Sequence, residues 1–341
     1  MEKFVSSWSD GKTLPENYIF PPEQRPGKLI LPTSNYVTPV IDLGKLDGPD
    51  HSIVVHQILQ ACQELGAFQV FNHGVARRLM DDARQMLDEF FKLPAEDKSA
   101  LITSDPNSKF KMYTSTVNYD EEKIHLWRDA FQQVCTPLEE CIPHWPAKPA
   151  KYREIIEEYT RKVNELGLRI LDLICEGLGI EAGYFANEQS QHIELIVNHY
   201  PVCPDPTLTL GVGKHSDRSL ITILMQGSVP GLQIFKDDEW VGVDPIPEAF
   251  VVHIGNIMQI ASNGKLLNGD HRAVTNAYEA RESAVLFFMP TKDCFIEPAK
   301  ALITAENPPL YRGFRYHEYL AAHNTARRLK DPDLLLKPFR I

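Results

Sequence analysis

The sequence predicts an α+β protein with helices in front of and behind one antiparallel β core. Before residue 190, apolar residues recur at helical spacing over long stretches. After it, short β-rich runs follow one another, with turn signals roughly every eight to twelve residues, which favours an antiparallel sandwich or barrel over alternating βαβ units. No internal repeat of about 20–50 residues divides the chain.

Taken in order, residues 1–36 are rich in proline and polar residues and read as an extended arm. YVTPVIDL, 36–43, reads as a first strand. SIVVHQILQACQELG, 52–66, places Val54, Ile58, Cys62 and Leu65 on one helical face, with Ser52 as N-cap and Gly66 as stop. AFQVFNHGV is then a strand ending in a turn, and ARRLMDDARQMLDEFFKL a helix closed by Pro94. From 96 to about 120 no period holds. KYREIIEEYTRKVNELGLRILDLICEGLGI is a long helix, apolar at Ile155, Tyr159, Val163, Leu166, Ile170 and Ile174. The runs ELIVNHYP, LITILMQ, GLQIFKDDEWVGVDP, AFVVHIG, RAVTN and SAVLFFMP are the strands of the core, and HEYLAAHNTARRL is a final helix. The expected division is 1–187, 188–295 for the β core, and 296–341 for a C-terminal helical extension.

Composition narrows the function. With 43% hydrophobic and 24% charged residues the chain is an ordinary globular protein, and its net charge of −11 argues against a nucleic-acid partner. No stretch reaches the length of a membrane span, and the N-terminus looks like neither a secretory signal nor a transit peptide. A cytoplasmic monomer acting on a small molecule is the expectation. The six cysteines form no CxxC; Cys135, Cys141 and His144 give only a hint of zinc spacing, with no second pair to complete it.

The chemistry centres on HSDRSLITIL, 215–224, where a histidine and an aspartate two apart lead into an apolar strand. Alone, H-x-D is equally an ordinary polar turn. Residues two apart in a strand share a face, and three such polar pairs occur in the β region: Asn198/Tyr200, His215/Asp217 and Arg281/Ser283. Polar groups in apolar strands are costly without partners. His271 follows the NGD turn at 268–270. If these faces line one interior, two imidazoles and a carboxylate make the facial triad that suits non-haem Fe(II). An arginine beside a hydroxyl and a phenol suits a carboxylate, which guanidinium grips as a fork.

These motifs resemble those of the plant-type Fe(II)- and 2-oxoglutarate-dependent dioxygenases. Similarity is greatest to hyoscyamine 6-dioxygenase-like members, and close to mugineic-acid dioxygenase-like and downy-mildew-resistance-type ones. H-x-D followed some fifty residues later by H matches His215, Asp217 and His271. R-x-S matches Arg281-Glu282-Ser283, and N-x-Y with its proline run matches Asn198-His199-Tyr200-Pro201-Val202-Cys203-Pro204. TPVIDL, GAFQVFNHGV, LWRDAF and WPAKPAKYRE extend the resemblance over most of the chain. HSDRS stands where many members have H-T-D-P, and VCPDP where many have P-C-P-x-P. FVVHIGN replaces F-V-V-N-I-G-D, which puts His253 and Asn256 on the core strand. None of these departures removes a ligand.

The resemblance implies a double-stranded β-helix (jelly roll) with the long helix packed outside it. It implies Fe(II) on His215, Asp217 and His271, and 2-oxoglutarate with its keto end near Asn198 and its 5-carboxylate on Arg281, Ser283 and Tyr200. O2 is the oxidant, ascorbate the reductant in assay, and succinate and CO2 the co-products. The implied reaction is hydroxylation of a small plant metabolite, with desaturation or epoxide closure as variants. Two rival classes are a zinc-type hydrolase, which has no use for the Arg281, Ser283 and Tyr200 group, and a non-catalytic jelly-roll binding module, which has no use for the triad and clamp together.

Other residues read more plainly. His73 is a turn histidine, His199 points away from Asn198 and Tyr200, and His253 is a buried histidine with its hydrogen bonds satisfied. GVGK, 211–214, lacks the features of a phosphate loop, and GSVPG, 227–231, is no nucleophile elbow. The aromatic stretch 104–127, with Phe110, Met112, Tyr113, Tyr119 and Trp127, supports two readings. It is either a loop packed on the β core or a lid over the iron face, with Phe110, Tyr113 and Trp127 lining the substrate pocket. In the second reading Glu121 and Glu122 meet a cationic amine.

Overall fold

The computed structural model describes residues 4–9, 13–27, 37–329 and 333–341. Parts of the expected N-terminal arm (1–3, 10–12 and 28–36) therefore lie outside the described residues. Twelve strands carry the core in chain order: β1 (Val40–Asp42), β2 (Ala67–Phe71), β3 (Phe110–Thr114), β4 (Asp129–Val134), β5 (His192–Tyr200) and β6 (Val212–His215), then β7 (Ile221–Gln226), β8 (Leu232–Lys236), β9 (Glu239–Gly242), β10 (Phe250–Ile254), β11 (His271–Ala273) and β12 (Arg281–Met289). They form an eight-stranded sheet, β1-β2-β10-β7-β12-β5-β4-β3, and a four-stranded sheet, β6-β11-β8-β9. Apart from the parallel β1–β2 pair, neighbours in both sheets run antiparallel.

Alternation along the strands divides the large sheet into two faces. One face packs Leu224, Val251 and Val285 against Leu232 and Ile234 of the small sheet, which closes the jelly roll. The other presents Ile193, Leu195, Val197, Ile221, Ile223, Val252, Leu286 and Phe288 to the helical layer. There the helix Tyr152–Leu178 lies against β7 and β12, and helices His51–Glu64 and Arg77–Phe91 pack on it in turn. Gly167 lets the long helix approach closely, because a Cβ there would fall within the Phe288 ring. Among the described residues no helix is long and apolar enough to cross a membrane.

The helix expected over 52–66 runs from His51 to Glu64, with Asp50 and not Ser52 at its N-cap position. Gly66 does end it, in the left-handed region at φ +70° that an L side chain resists. GVGK belongs mostly to strand β6.

The largest correction concerns 104–127. Part of it is regular: Phe110–Thr114 is β3, an edge strand paired with β4 in the register Phe110↔Gln133 to Thr114↔Asp129, while turns and the 3-10 helix Tyr119–Glu121 make up the rest. Its alternation sends Phe110 and Met112 to the helical layer, where Phe110 lies 4.9 Å from the Phe131 ring and 5.9 Å from Phe90. Trp127 is likewise core, fully buried among Val5, Tyr18 and Cys203, and its Nε1 donates to the Pro201 carbonyl at 3.0 Å. Phe110 and Trp127 thus serve packing and do not line a substrate pocket. Tyr113 faces the other way, towards the site. Phe110→Ala is expected to cost about 3–5 kcal/mol of stability, and Tyr113→Ala much less. Urea denaturation checks this, and equal midpoints for the two variants would return Phe110 to the pocket.

Candidate metal and co-substrate site

His215 ends β6 and His271 begins β11, and the two are directly paired across the small sheet. Asp217 stands just beyond β6, in the turn into β7. Asp217 Oδ1 lies 3.6 Å from His215 Nε2 and 3.9 Å from His271 Nε2. One ligand atom from each of the three residues falls within 4.8 Å of the others, the one such cluster among the described residues. The hinted Cys135/Cys141 site gains no partners, and both thiols are buried and free.

Hydrogen bonds aim these atoms. His215 Nδ1 lies 2.9 Å from the Gly213 carbonyl and His271 Nδ1 lies 2.7 Å from that of Gly269, so each Nδ1–H donates backwards and leaves the Nε2 lone pair facing Asp217. The Thr222 hydroxyl donates to Asp217 Oδ2 at 2.8 Å, which leaves Oδ1 for the cluster. The Asn256 backbone N–H donates to the Asp217 backbone carbonyl at 2.8 Å and holds the turn. Burial and the neighbouring His271 push the His215 pKa down, so its imidazole is neutral at physiological pH. Burial opposes charge on Asp217, but the adjoining histidine rings, led by His271, and the Thr222 hydrogen bond hold its pKa below the ordinary carboxylate value. Neutral imidazoles and an ionised carboxylate are the states a metal needs.

His253 departs from expectation. Its ring centroid lies 4.2 Å from that of His271, it is 1% exposed, and among the described residues neither ring nitrogen has a hydrogen-bond partner. Desolvation lowers its pKa and keeps it neutral. His73 and His199 behave as expected: His73 Nε2 meets the Glu248 carbonyl at 2.7 Å, and His199 pairs with Glu282 at 2.9 Å on the helical side.

The second cluster is set by register. Antiparallel pairing of β5 with β12 places Arg281 opposite Tyr200 and Ser283 opposite Asn198, so the two polar pairs become one patch on the interior face. Arg281 is 2% exposed, its guanidinium carbon lies 5.1 Å from the Tyr200 ring centroid, and among the described residues its Nε and Nη1 have no hydrogen-bond partner. Gly231 makes room for it, since a Cβ there would stand 2.8 Å from Arg281 Cδ. A buried guanidinium with idle donors fits an incoming carboxylate, because an unpaired buried charge is otherwise costly.

Arg128 is the residue that the sequence reading passed over. It immediately precedes β4, donates from Nη1 to Asn198 Oδ1 and from Nε to the Ser115 carbonyl, both at 2.8 Å, and adds to the lowering of His215. Its signal in the sequence was its place in LWRDAF, 126–131, a stretch read only for the resemblance, and the pairing of Ala130 with Asn198 gives that place its meaning. Glu121 is exposed. Glu122 accepts from Ser115 Oγ at 2.6 Å and from the Thr116 hydroxyl, and meets His125 Nδ1 at 3.2 Å. That carboxylate is engaged within its own loop rather than held open for an amine.

Family comparisons agree with this geometry. Residues 193–290 match the 2OG-Fe(II) oxygenase superfamily, and 38–148 match the N-terminal region described as non-haem dioxygenase in morphine synthesis. Hyoscyamine 6-dioxygenase of Hyoscyamus niger is 41% identical, over 100% of this chain and 99% of the relative. The chain belongs to the 2-oxoglutarate- and Fe(II)-dependent oxygenases. Flavanone 3-dioxygenase 2 of Oryza sativa subsp. japonica is 42% identical to this dioxygenase, over 90% of this chain and 89% of its own length. The crystal structure of JOX2 in complex with 2OG, Fe and JA superposes on the dioxygenase with a TM-score of 0.82 at 33% identity, covering 93% of this chain and 92% of the other. Fe(II), 2-oxoglutarate and O2 are therefore the cofactor and co-substrates of the enzyme, and the hydrolase and binding-module alternatives fall away.

Proposed function

We propose that the enzyme hydroxylates a C–H bond of a small plant specialised metabolite, with His215, Asp217 and His271 as the iron ligands and Arg281 as the anchor of 2-oxoglutarate. Iron with its co-substrates supplies the oxidising power that couples decarboxylation of 2-oxoglutarate, giving succinate and CO2, to hydroxylation, desaturation or epoxide closure. Everything else is positioning by the chain. His215 and His271 present Nε2, and Thr222 turns the Asp217 carboxylate so that one oxygen is free.

The observation that carries this reading is the buried guanidinium of Arg281 with two idle donors, on the interior face of the large sheet, with an aligned two-histidine, one-carboxylate cluster at the strand ends of the small sheet packed against that face. In this arrangement Arg281, Ser283 and Tyr200 take the distal carboxylate. Arg128 holds Asn198 Oδ1, which leaves the Asn198 amide nitrogen near Ser283 Oγ, at 3.4 Å, and available to the keto end. The half-buried Tyr113, Ile196 and Phe287 form the apolar wall for the substrate on that face.

Anaerobic addition of Fe(II) and then 2-oxoglutarate should produce a visible charge-transfer absorption that depends on both. Its absence would remove the reading. With O2 and ascorbate admitted, a metabolite extract should yield products that gain one oxygen or lose two hydrogens, detected by mass spectrometry with matching succinate.

A further inference from the structure

We propose that the substrate carries a carboxylate on an apolar skeleton, and that Arg128 is the residue that receives it. This rests on the function proposed above and specifies its substrate class.

Two half-buried arginines stand on the open side of the interior face, and they differ in one respect. Arg218 is neutralised, its Nη2 lying 2.9 Å from Glu194 Oε2. Burial alone would raise the Glu194 pKa, yet the His192 hydrogen bond and the Arg218 charge bring it down to about 2, so that pair stays ionised. Arg128 has neutral partners only: the Ser115 carbonyl and the Asn198 amide oxygen. Among the described residues no carboxylate stands within 4.0 Å of it, and its Nη2 has no acceptor. Arg281, deeper on the same face, is assigned to 2-oxoglutarate, so one cation remains without an anion.

The acids near the site are in the opposite condition. Asp217 belongs to the metal cluster, Glu194 to Arg218 and His192, and Glu122 to Ser115, Thr116 and His125. A cationic substrate would find its anchors taken, whereas an anionic one finds an anchor waiting. Two hydrogen bonds hold the Arg128 guanidinium in place before any ligand arrives, which lowers the ordering cost of binding. The planar fork suits carboxylate, and desolvation at a half-buried position strengthens the pair. Tyr113, whose ring centroid lies 6.0 Å from the guanidinium carbon, with Ile196 and Phe287 on the same face, supplies the contact for the skeleton.

The test uses three probes of one skeleton and different charge: 3-phenylpropanoate, 3-phenylpropanamide and 3-phenylpropylamine. Each is titrated into the anaerobic enzyme holding Fe(II) and 2-oxoglutarate, and its binding is read from perturbation of the visible band. The propanoate is expected to bind about tenfold or more tighter than the other two. Arg128→Gln should abolish that preference, and Arg128→Lys should restore part of it. Both variants are titrated at saturating 2-oxoglutarate, because loss of the Arg128 bond to Asn198 is expected to raise its half-saturating concentration. A propanoate that binds no better than the amide and amine, including no binding at all, overturns the proposal. So does an Arg128→Gln variant that keeps the preference, or one in which no concentration of 2-oxoglutarate forms the band, since Arg128 would then be the co-substrate's anchor in place of Arg281. A wild-type enzyme with no visible band at all would instead remove the proposed function, so the two failures are distinct.

Discussion

His215→Ala, Asp217→Ala and His271→Ala are each expected to lose Fe(II) binding and all turnover while remaining folded. A three-ligand site has no spare ligand to compensate. The nearest unused donor, His253, lies beside His271 with its ring tilted at a centroid distance of 4.2 Å and is not part of the cluster. Asp217→Glu should fail as well, because one more methylene displaces the carboxylate beyond the tolerance of about 0.2 Å for a metal bond and breaks its bond from Thr222. Removing only that support, with Thr222→Val, should weaken metal binding by about 10–100-fold. Calorimetric titration with Mn(II) under anaerobic conditions, beside circular dichroism to confirm folding, decides the matter. Wild-type metal affinity in any one of the three alanine variants would contradict the triad.

Arg281→Lys is expected to weaken 2-oxoglutarate binding by about 1–3 kcal/mol, roughly five- to 150-fold. The charge is kept but the planar fork is lost, and an ammonium on a shorter reach cannot offer two parallel donors. Metal affinity measured without co-substrate should hardly change, since Arg281 makes no hydrogen bond to any residue of the triad or its supporting shell. The measurement is the dependence of the visible charge-transfer band on 2-oxoglutarate concentration. An unaltered dependence would make Arg281 a structural arginine and return the question of what anchors the co-substrate.

Much of the site was legible in the chain. The apolar run after Asp217, the polar pairs two apart and the spacing to His271 are local patterns, and local periodicity sets which face of a strand a residue occupies. The helices over 51–64, 77–91 and 152–178 were visible for the same reason, since each must bury one stripe. β3 was not legible. Five residues of FKMYT at a sheet edge carry too little alternation to stand out, and only pairing with β4 separates Phe110 in the core from Tyr113 at the site.

What the sequence determined by itself was therefore the kind of element each segment forms and the chemical types available to the centre. The tertiary structure alone decided which groups meet and which are left unmet. Register across β5 and β12 joins Asn198 to Ser283 and Tyr200 to Arg281. Folding across 70 residues brings Arg128 to Asn198, and folding across 24 gives Arg218 its carboxylate while Arg128 receives none. Burial strips His253 of hydrogen-bond partners that its neighbours in sequence cannot predict. Charge compensation and hydrogen-bond satisfaction depend on distances between residues remote in the chain, so no local pattern encodes them.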